Sequence, residues 1–236
     1  MQTLAAPSFE SFHQRQITPL KFVVLGDSLI YGFGDPEGGG WVERLRRQWM
    51  LPDSPGHVLY NLGVRGDGVT QVHKRLEHEF RSRGELRNRV PDAIILSVGV
   101  NDSARKARPD GKNFTNFESF QEELANLLEL AQQLCPVLFV GMVPVDERKM
   151  PFLDCFYYNH ADQYYYKEAT RLACLRRQIP YLDVFDLWTS RGYDWCSQHL
   201  SPDGLHPNVA GYQQLLQDIL LWNPLAQLNS LSLGTA

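Results

Sequence analysis

The chain has 236 residues, 43% of them hydrophobic and 21% charged, which supplies a sizeable core and excludes disordered or collagen-like classes. Its 23 Lys and Arg against 27 Asp and Glu give a formal net charge of −4, so there is no global positive field to condense on nucleic acid or anionic lipid. No apolar run approaches the roughly 18 residues of a membrane span, and Met1 to Leu20 carry Glu10, His13 and Arg15 where a signal peptide needs apolar residues; a cytoplasmic protein with an N-terminal arm over residues 1–20 is expected.

The first strand-like run, Lys21–Leu25, ends at Gly26-Asp27-Ser28-Leu29. Trp41, Val42, Leu45 and Trp49 then share one face at helical spacing. A second run, Val58–Leu62, opens onto Gly63-Val64-Arg65-Gly66-Asp67-Gly68 and a helix that buries Val69, Val72, Leu76 and Phe80. The third, Ala93–Val98, leads through Gly99-Val100-Asn101-Asp102 to an amphipathic helix from Phe117 to Leu134. The fourth, Val137–Met142, precedes a helix over Asn159 to Arg177. The fifth, Pro180–Phe185, runs through a long loop, 186–206, to a last helix placed to start at Pro207, a residue favoured at the first helical position. Residues 226–236 read as a C-terminal tail.

All five runs are almost continuously apolar, as strands covered on both faces are, and they alternate with helices. That alternation predicts one α/β domain over residues 21–225, a three-layer αβα sandwich around a five-stranded parallel sheet. Ligands of such sheets bind beyond the carboxyl ends of the strands. The loops after the strands are therefore where chemistry is expected.

Cys135, Cys155, Cys174 and Cys196 lack CxxC or CxxH spacing, so they read as free thiols and neither as a zinc site nor as a disulfide scaffold. The first loop offers Ser28 directly after a strand, but Ile30 stands where a G-x-S-x-G elbow needs glycine. Glu37 occupies the third glycine position of a dinucleotide fingerprint beginning at Gly32, and no Walker lysine follows. Three glycines in the second loop suggest positive φ or a close backbone approach. Asn101 carries a neutral amide donor suited to a developing oxyanion. Asp203 stands three residues before His206 across Gly204, a spacing from which a carboxylate in a tight turn reaches an imidazole nitrogen. Each feature alone also fits a turn or cap. Together they put a nucleophile, donors and an acid-base pair at one edge of one sheet.

Gly26-Asp27-Ser28-Leu29, Gly66, Gly99-Val100-Asn101-Asp102 and Asp203-Gly204-Leu205-His206-Pro207, in this order on a matching strand-helix pattern, resemble the four blocks of the GDSL family of the SGNH-hydrolase esterases and lipases. The resemblance implies a flavodoxin-like sheet in the order 2-1-3-4-5. It assigns Ser28 as nucleophile, His206 as general base and acid, and Asp203 as orienting carboxylate. The oxyanion hole would be the N–H of Ser28, the N–H of Gly66 and the amide of Asn101. Gly68 departs from the family, many of whose members place Thr or Ser there.

The reaction expected is hydrolysis of a small carboxylic ester or thioester without metal or cofactor. Two rival readings are a flavin- or nucleotide-binding module of flavodoxin type, and a metal-dependent phosphoesterase using Asp27, Asp102, Asp203 and His206 as hard ligands. In the aromatic stretch before and within the fourth helix, Phe152, Phe156 and Tyr157 are candidates for the substrate pocket. Arg105, Lys106 and Arg108 read as a solvated basic loop.

Overall fold

The computed structural model describes residues 19–52, 54, 56–83 and 90–231; residues 1–18 of the expected N-terminal arm and 232–236 of the expected tail lie outside the described residues. The strands, in chain order, are β1 (Lys21–Gly26), β2 (Val58–Gly63), β3 (Ala93–Ser97), β4 (Arg105–Lys106), β5 (Val137–Val140), β6 (Phe156–Tyr157) and β7 (Tyr181–Leu182). The first helices are α1 (Ser28–Tyr31), α2 (Gly40–Trp49), α3 (Val69–Arg81), α4 (Val100–Ser103) and α5 (Phe117–Leu134). They are followed by α6 (His160–Arg176), α7 (Val184–Thr189), α8 (Tyr193–Gln198), α9 (Val209–Leu220) and α10 (Asn223–Leu231).

Five strands form one parallel sheet in the order β2-β1-β3-β5-β7, which is the expected 2-1-3-4-5 when only its members are counted. Val23, Val24, Ile94, Leu96 and Val140 are fully or almost fully buried, because α2 and α9 pack together while α3 packs on α5 and α5 on α6, giving the two outer layers. At the carboxyl ends, Gly26 of β1 is in register with Gly63 of β2 and Ser97 of β3. Strand order reverses between β1 and β3, and the crevice that this leaves is where such sheets bind ligands.

Most elements lie where the periodicity puts them, but four differences bear on the site. The helix expected from Pro207, α9, starts at Val209: the Asn208 side chain caps it by accepting from the Gly211 N–H, and Pro207 instead bridges to Leu200. The fifth strand stops at Leu182 because Asp183 caps α7, accepting from the Asp186 N–H at 3.1 Å. Its long loop therefore contains two short helices. Residues 226–231, read from sequence as tail, lie in α10. Finally, β4 and β6 pair antiparallel, Arg105 with Tyr157 and Lys106 with Phe156, and this small ribbon brings the loop after β5 against the loop after β3. Among the described residues no helix is long and apolar enough to cross a membrane.

Candidate active site

Ser28 is the first residue of α1, directly beyond β1. Asp27 caps this helix, its Oδ1 accepting from the Leu29 N–H at 2.9 Å, and so fixes the turn that carries Ser28. The Ser28 Oγ lies 2.8 Å from His206 Nε2, and His206 Nδ1 lies 2.7 Å from Asp203 Oδ2. Asp203 and His206 share a turn closed by the Ser201 N–H donating to the His206 carbonyl at 2.7 Å. The other oxygen of Asp203, Oδ1, accepts from the backbone N–H groups of Leu205 at 2.9 Å and His206 at 3.0 Å. One carboxylate thus braces the turn with one oxygen and the imidazole with the other.

Burial by itself raises the Asp203 pKa, but hydrogen bonds from the His206 ring and from the two backbone N–H groups outweigh it and hold the carboxyl below its ordinary value. Asp203 is therefore ionised throughout the neutral range. Phe33 meets the His206 ring edge-on at 4.6 Å and Phe152 at 5.6 Å between centroids. With the histidine only 2% exposed, these rings keep water from its faces and leave Nε2 directed at the serine.

Asn101 lies in α4, the turn beyond β3. Its Nδ2 donates to the Asp67 carbonyl at 2.9 Å, and its Oδ1 accepts from the Tyr158 hydroxyl at 3.2 Å. An amide nitrogen carries two hydrogens, so the bond to Asp67 leaves one for the cavity that Asn101 lines. Gly66 sits at φ +85°, with no atom within 4 Å of where a Cβ would be. Its glycine is required by conformation rather than by crowding, and it too lines the cavity.

Gly68 has a different reason. A Cβ there would lie 2.6 Å from Asp102 Oδ1, because the Asp102 carboxylate fills that space, accepting from the Val69 N–H at 3.0 Å and from the Thr115 hydroxyl at 2.6 Å. The departure from the family pattern is thus coupled to a buried acid that ties α3 to the loop after α4. Burial raises the pKa of Asp102 to about 6 and that of Asp27 to about 7, the latter with help from the nearby charges of Asp102 and Asp67.

Ser28, Gly66, Asn101 and His206 open into one cavity of about 300 Å³, whose remaining wall is mostly apolar and includes Phe114, Phe152, Phe156 and Tyr158. Phe152 and Phe156 are where the aromatic stretch was expected to contribute. Tyr157 is not in the wall: side chains alternate along a strand, so with Phe156 facing the cavity, Tyr158 faces it too and Tyr157 turns away. That alternation was readable from sequence once β6 is known to be a strand, but two residues give no periodicity to find it by. Arg105 is not a solvated loop residue, since its guanidinium pairs with Asp162; Lys106 and Arg108 are exposed.

Larger hollows exist, one of about 520 Å³ at the starts of β5 and β7 and one of about 670 Å³ beside α2 and the edge strand β2. Neither joins a nucleophile to a base. The first has only the Cys135 thiol, which burial pushes up to about 12. All four cysteines are free.

Asp27, Asp102, Asp203 and His206 do not gather as metal ligands. The only described cluster of three or more such groups is Glu168, Asp183 and Asp186, and the buried Lys167 ammonium already lies within 2.9 Å of all three.

Several solved structures share this architecture. A lipase/acylhydrolase from Enterococcus faecalis is 22% identical, with a TM-score of 0.63 over 85% of this chain and 93% of that one. A psychrotrophic esterase from Pseudoalteromonas is 17% identical, with a TM-score of 0.62 over 85% and 94%. An acetylxylan esterase from Geobacillus stearothermophilus is 17% identical, with a TM-score of 0.65 over 87% and 95%. A comparison with curated protein sequences finds no match. At these identities the structural likeness establishes the fold class, a parallel α/β sandwich. The family follows from the sequence profile of the GDSL-like lipase/acylhydrolase family, which matches residues 24–214: the chain belongs to that family and is a carboxylic ester hydrolase.

Proposed function

We propose that the protein hydrolyses small carboxylic esters through an acyl-enzyme on Ser28, with His206 as base and acid and Asp203 as the orienting carboxylate. The observation that carries this reading is the unbroken hydrogen-bonded chain from Asp203 through His206 to Ser28, opening into a cavity that also holds Gly66 and Asn101. A serine hydroxyl is a weak nucleophile until a base removes its proton. His206 Nε2 takes that proton as Oγ attacks the ester carbonyl, and returns it to the departing alkoxide. Water then attacks the acyl-enzyme with His206 again as base, releasing the acid and restoring Ser28. Asp203 holds the proton of the neutral imidazole on Nδ1, which leaves Nε2 free to accept. The N–H groups of Ser28 and Gly66 and the amide of Asn101 stabilise the oxyanion.

The similar acetylxylan esterase adds support. Its catalytic mutants replace one serine, one aspartate and one histidine, the aspartate three positions before the histidine, the spacing of Asp203 and His206. The similar Pseudoalteromonas esterase is inhibited by monoethylphosphonate. A serine-directed phosphonate is accordingly the direct test: it is expected to label the protein once, at Ser28 by peptide mass spectrometry, with loss of activity in step with labelling. Labelling elsewhere, or none with activity lost by another route, overturns the assignment.

Asn101 has its own test. One oxyanion donor typically contributes about 2.7–4 kcal/mol to the transition state, so Asn101→Ala is expected to lower kcat by about 10²–10³-fold with KM little changed. A change confined to KM would move Asn101 from stabilising the oxyanion to binding the ground state.

A further inference from the structure

Among the described residues Arg65 is the only permanently charged side chain in the wall of the cavity; the others there are apolar or neutral polar apart from His206 itself. Elsewhere the fold neutralises its half-buried arginines. Arg44 is held by Asp35, Arg75 by Asp67, Arg105 by Asp162 and Arg191 by Asp218. Arg65 differs from these in being exposed, at the rim of the cavity, and it has no hydrogen bond or ion pair with any described residue. Its guanidinium carbon lies over the Phe33 ring, 3.9 Å from the centroid, and Phe33 in turn packs on His206 at 4.6 Å.

Stacking of this kind changes what the side chain is ready to do. A guanidinium over an aromatic face keeps its N–H groups in the plane, pointing outward from the ring edge. The ring therefore removes rotamer freedom from the arginine without using its donors. What remains is a planar fork with its donors unused, beside Gly66 in sequence and one ring away from His206. Such a fork matches a carboxylate or phosphate in two parallel hydrogen bonds. A substrate without a negative group could offer it only neutral acceptors, which bind a guanidinium less strongly than a carboxylate or phosphate does.

Building on the proposed Ser28 chemistry, we infer that the substrate is an anionic ester, one that carries a carboxylate or phosphate near the scissile bond, and that Arg65 is the residue that selects it. At about 300 Å³ and open to solvent, the cavity accommodates a small ester or the reacting end of a larger one. The apolar wall takes the hydrocarbon part and Arg65 the charge.

Two ester pairs test this, each an anionic ester beside its neutral alkyl ester, with enzymatic rates taken relative to hydroxide-catalysed hydrolysis of the same bond so that leaving-group and statistical differences drop out. In para-acetoxybenzoate against its methyl ester the anion is on the leaving group. In monoethyl adipate against diethyl adipate it is on the acyl part. The wild type is expected to prefer the anionic member of one pair by about tenfold in kcat/KM, the size of a charge-assisted contact at a solvent-exposed rim. Added salt should shrink that preference. Arg65→Gln is expected to bring the ratio to about one, and Arg65→Lys to keep part of it. The ratio is the readout because both members of a pair use the same chemistry, so disturbed packing of Phe33 on His206 cancels. The pair that responds identifies which half of the ester carries the charge. Equal rates within both pairs for the wild type, or an unchanged ratio in Arg65→Gln, overturn the proposal while Ser28→Ala remains inactive. Full hydrolysis by Ser28→Ala would overturn this proposal together with the Ser28 reading.

Discussion

Ser28→Ala is expected to lower kcat on para-nitrophenyl acetate by about 10⁶-fold, with a melting temperature close to that of the wild type. The size follows from what the hydroxyl does. Without Oγ no acyl-enzyme forms, and the remaining rate, about 10³–10⁴ above that in water, comes from oxyanion donors and binding acting on a water molecule. The small stability effect follows from the site. Ser28 Oγ makes one hydrogen bond, to His206 Nε2, and that nitrogen faces a cavity into which water can enter to replace it. The cap of α1 belongs to Asp27 and is untouched by the substitution.

His206→Ala is expected to cost about as much as Ser28→Ala, and the double variant no more than either. Residues that act as one unit lose their joint contribution when any member goes. Multiplicative losses would mean that serine and histidine accelerate the reaction independently, and the acyl-enzyme scheme would fail. A single-turnover burst in the wild type that is absent from all three variants separates this outcome from a general loss of substrate binding.

How far the sequence reaches differs between sheet and site for physical reasons. The central strands β1, β3 and β5 are readable because each is buried on both faces: Phe22 to Leu25 and Ile94 to Leu96 are almost fully shielded, and such burial admits only apolar side chains, whereas the edge strands β2 and β7 are half-buried. The long helices are readable because one face of each is buried; Phe120, Leu124, Leu127 and Leu128 mark α5. Ser28, Asn101, Asp203 and His206 stand at strand ends or in short turns with recognisable spacing. The structure brings Ser28 and His206, 178 positions apart, to hydrogen-bond distance.

What the sequence hides is whatever depends on contacts between loops. Tyr158 enters the wall only because β6 pairs with β4, a ribbon of two residues a side with no detectable period. Phe33 and Arg65 come from the loops after β1 and β2, and only the parallel pairing of those two strands brings them together. The caps of α7 and α9 are legible in hindsight, as Asp183 and Asn208 each precede a helix. The apolar run through Phe185 and the proline at 207 were stronger local signals pointing elsewhere.

Asp203→Asn is expected to lower kcat/KM by about 10⁴-fold while leaving stability nearly intact, and the two arms of Asp203 explain why the effects separate. The Oδ1 arm accepts from two backbone N–H groups and holds the turn; an asparagine carbonyl accepts them equally well. The Oδ2 arm faces His206 Nδ1 at 2.7 Å, and there asparagine presents an N–H instead. Two N–H groups cannot share that contact, so the imidazole moves its proton to Nε2 and Nδ1 becomes the acceptor. Nε2 then meets the Ser28 hydroxyl as a donor and cannot take its proton, which is the wrong-tautomer loss of about 10⁴-fold. Asp203→Ala serves as the contrast. It removes both arms, so it is expected to lose comparable activity and also to unfold more easily, by about 1–3 kcal/mol for the two backbone N–H groups left without a carboxylate. Because the Asp203 carboxyl is held below its ordinary value, its own protonation does not shape the wild-type pH profile near neutrality. Kinetics and thermal melts of the two variants side by side check the argument: equal melting temperatures for Asp203→Asn and Asp203→Ala would mean that the carboxylate does not brace the turn, and near-normal activity in Asp203→Asn would mean that it does not set the tautomer of His206.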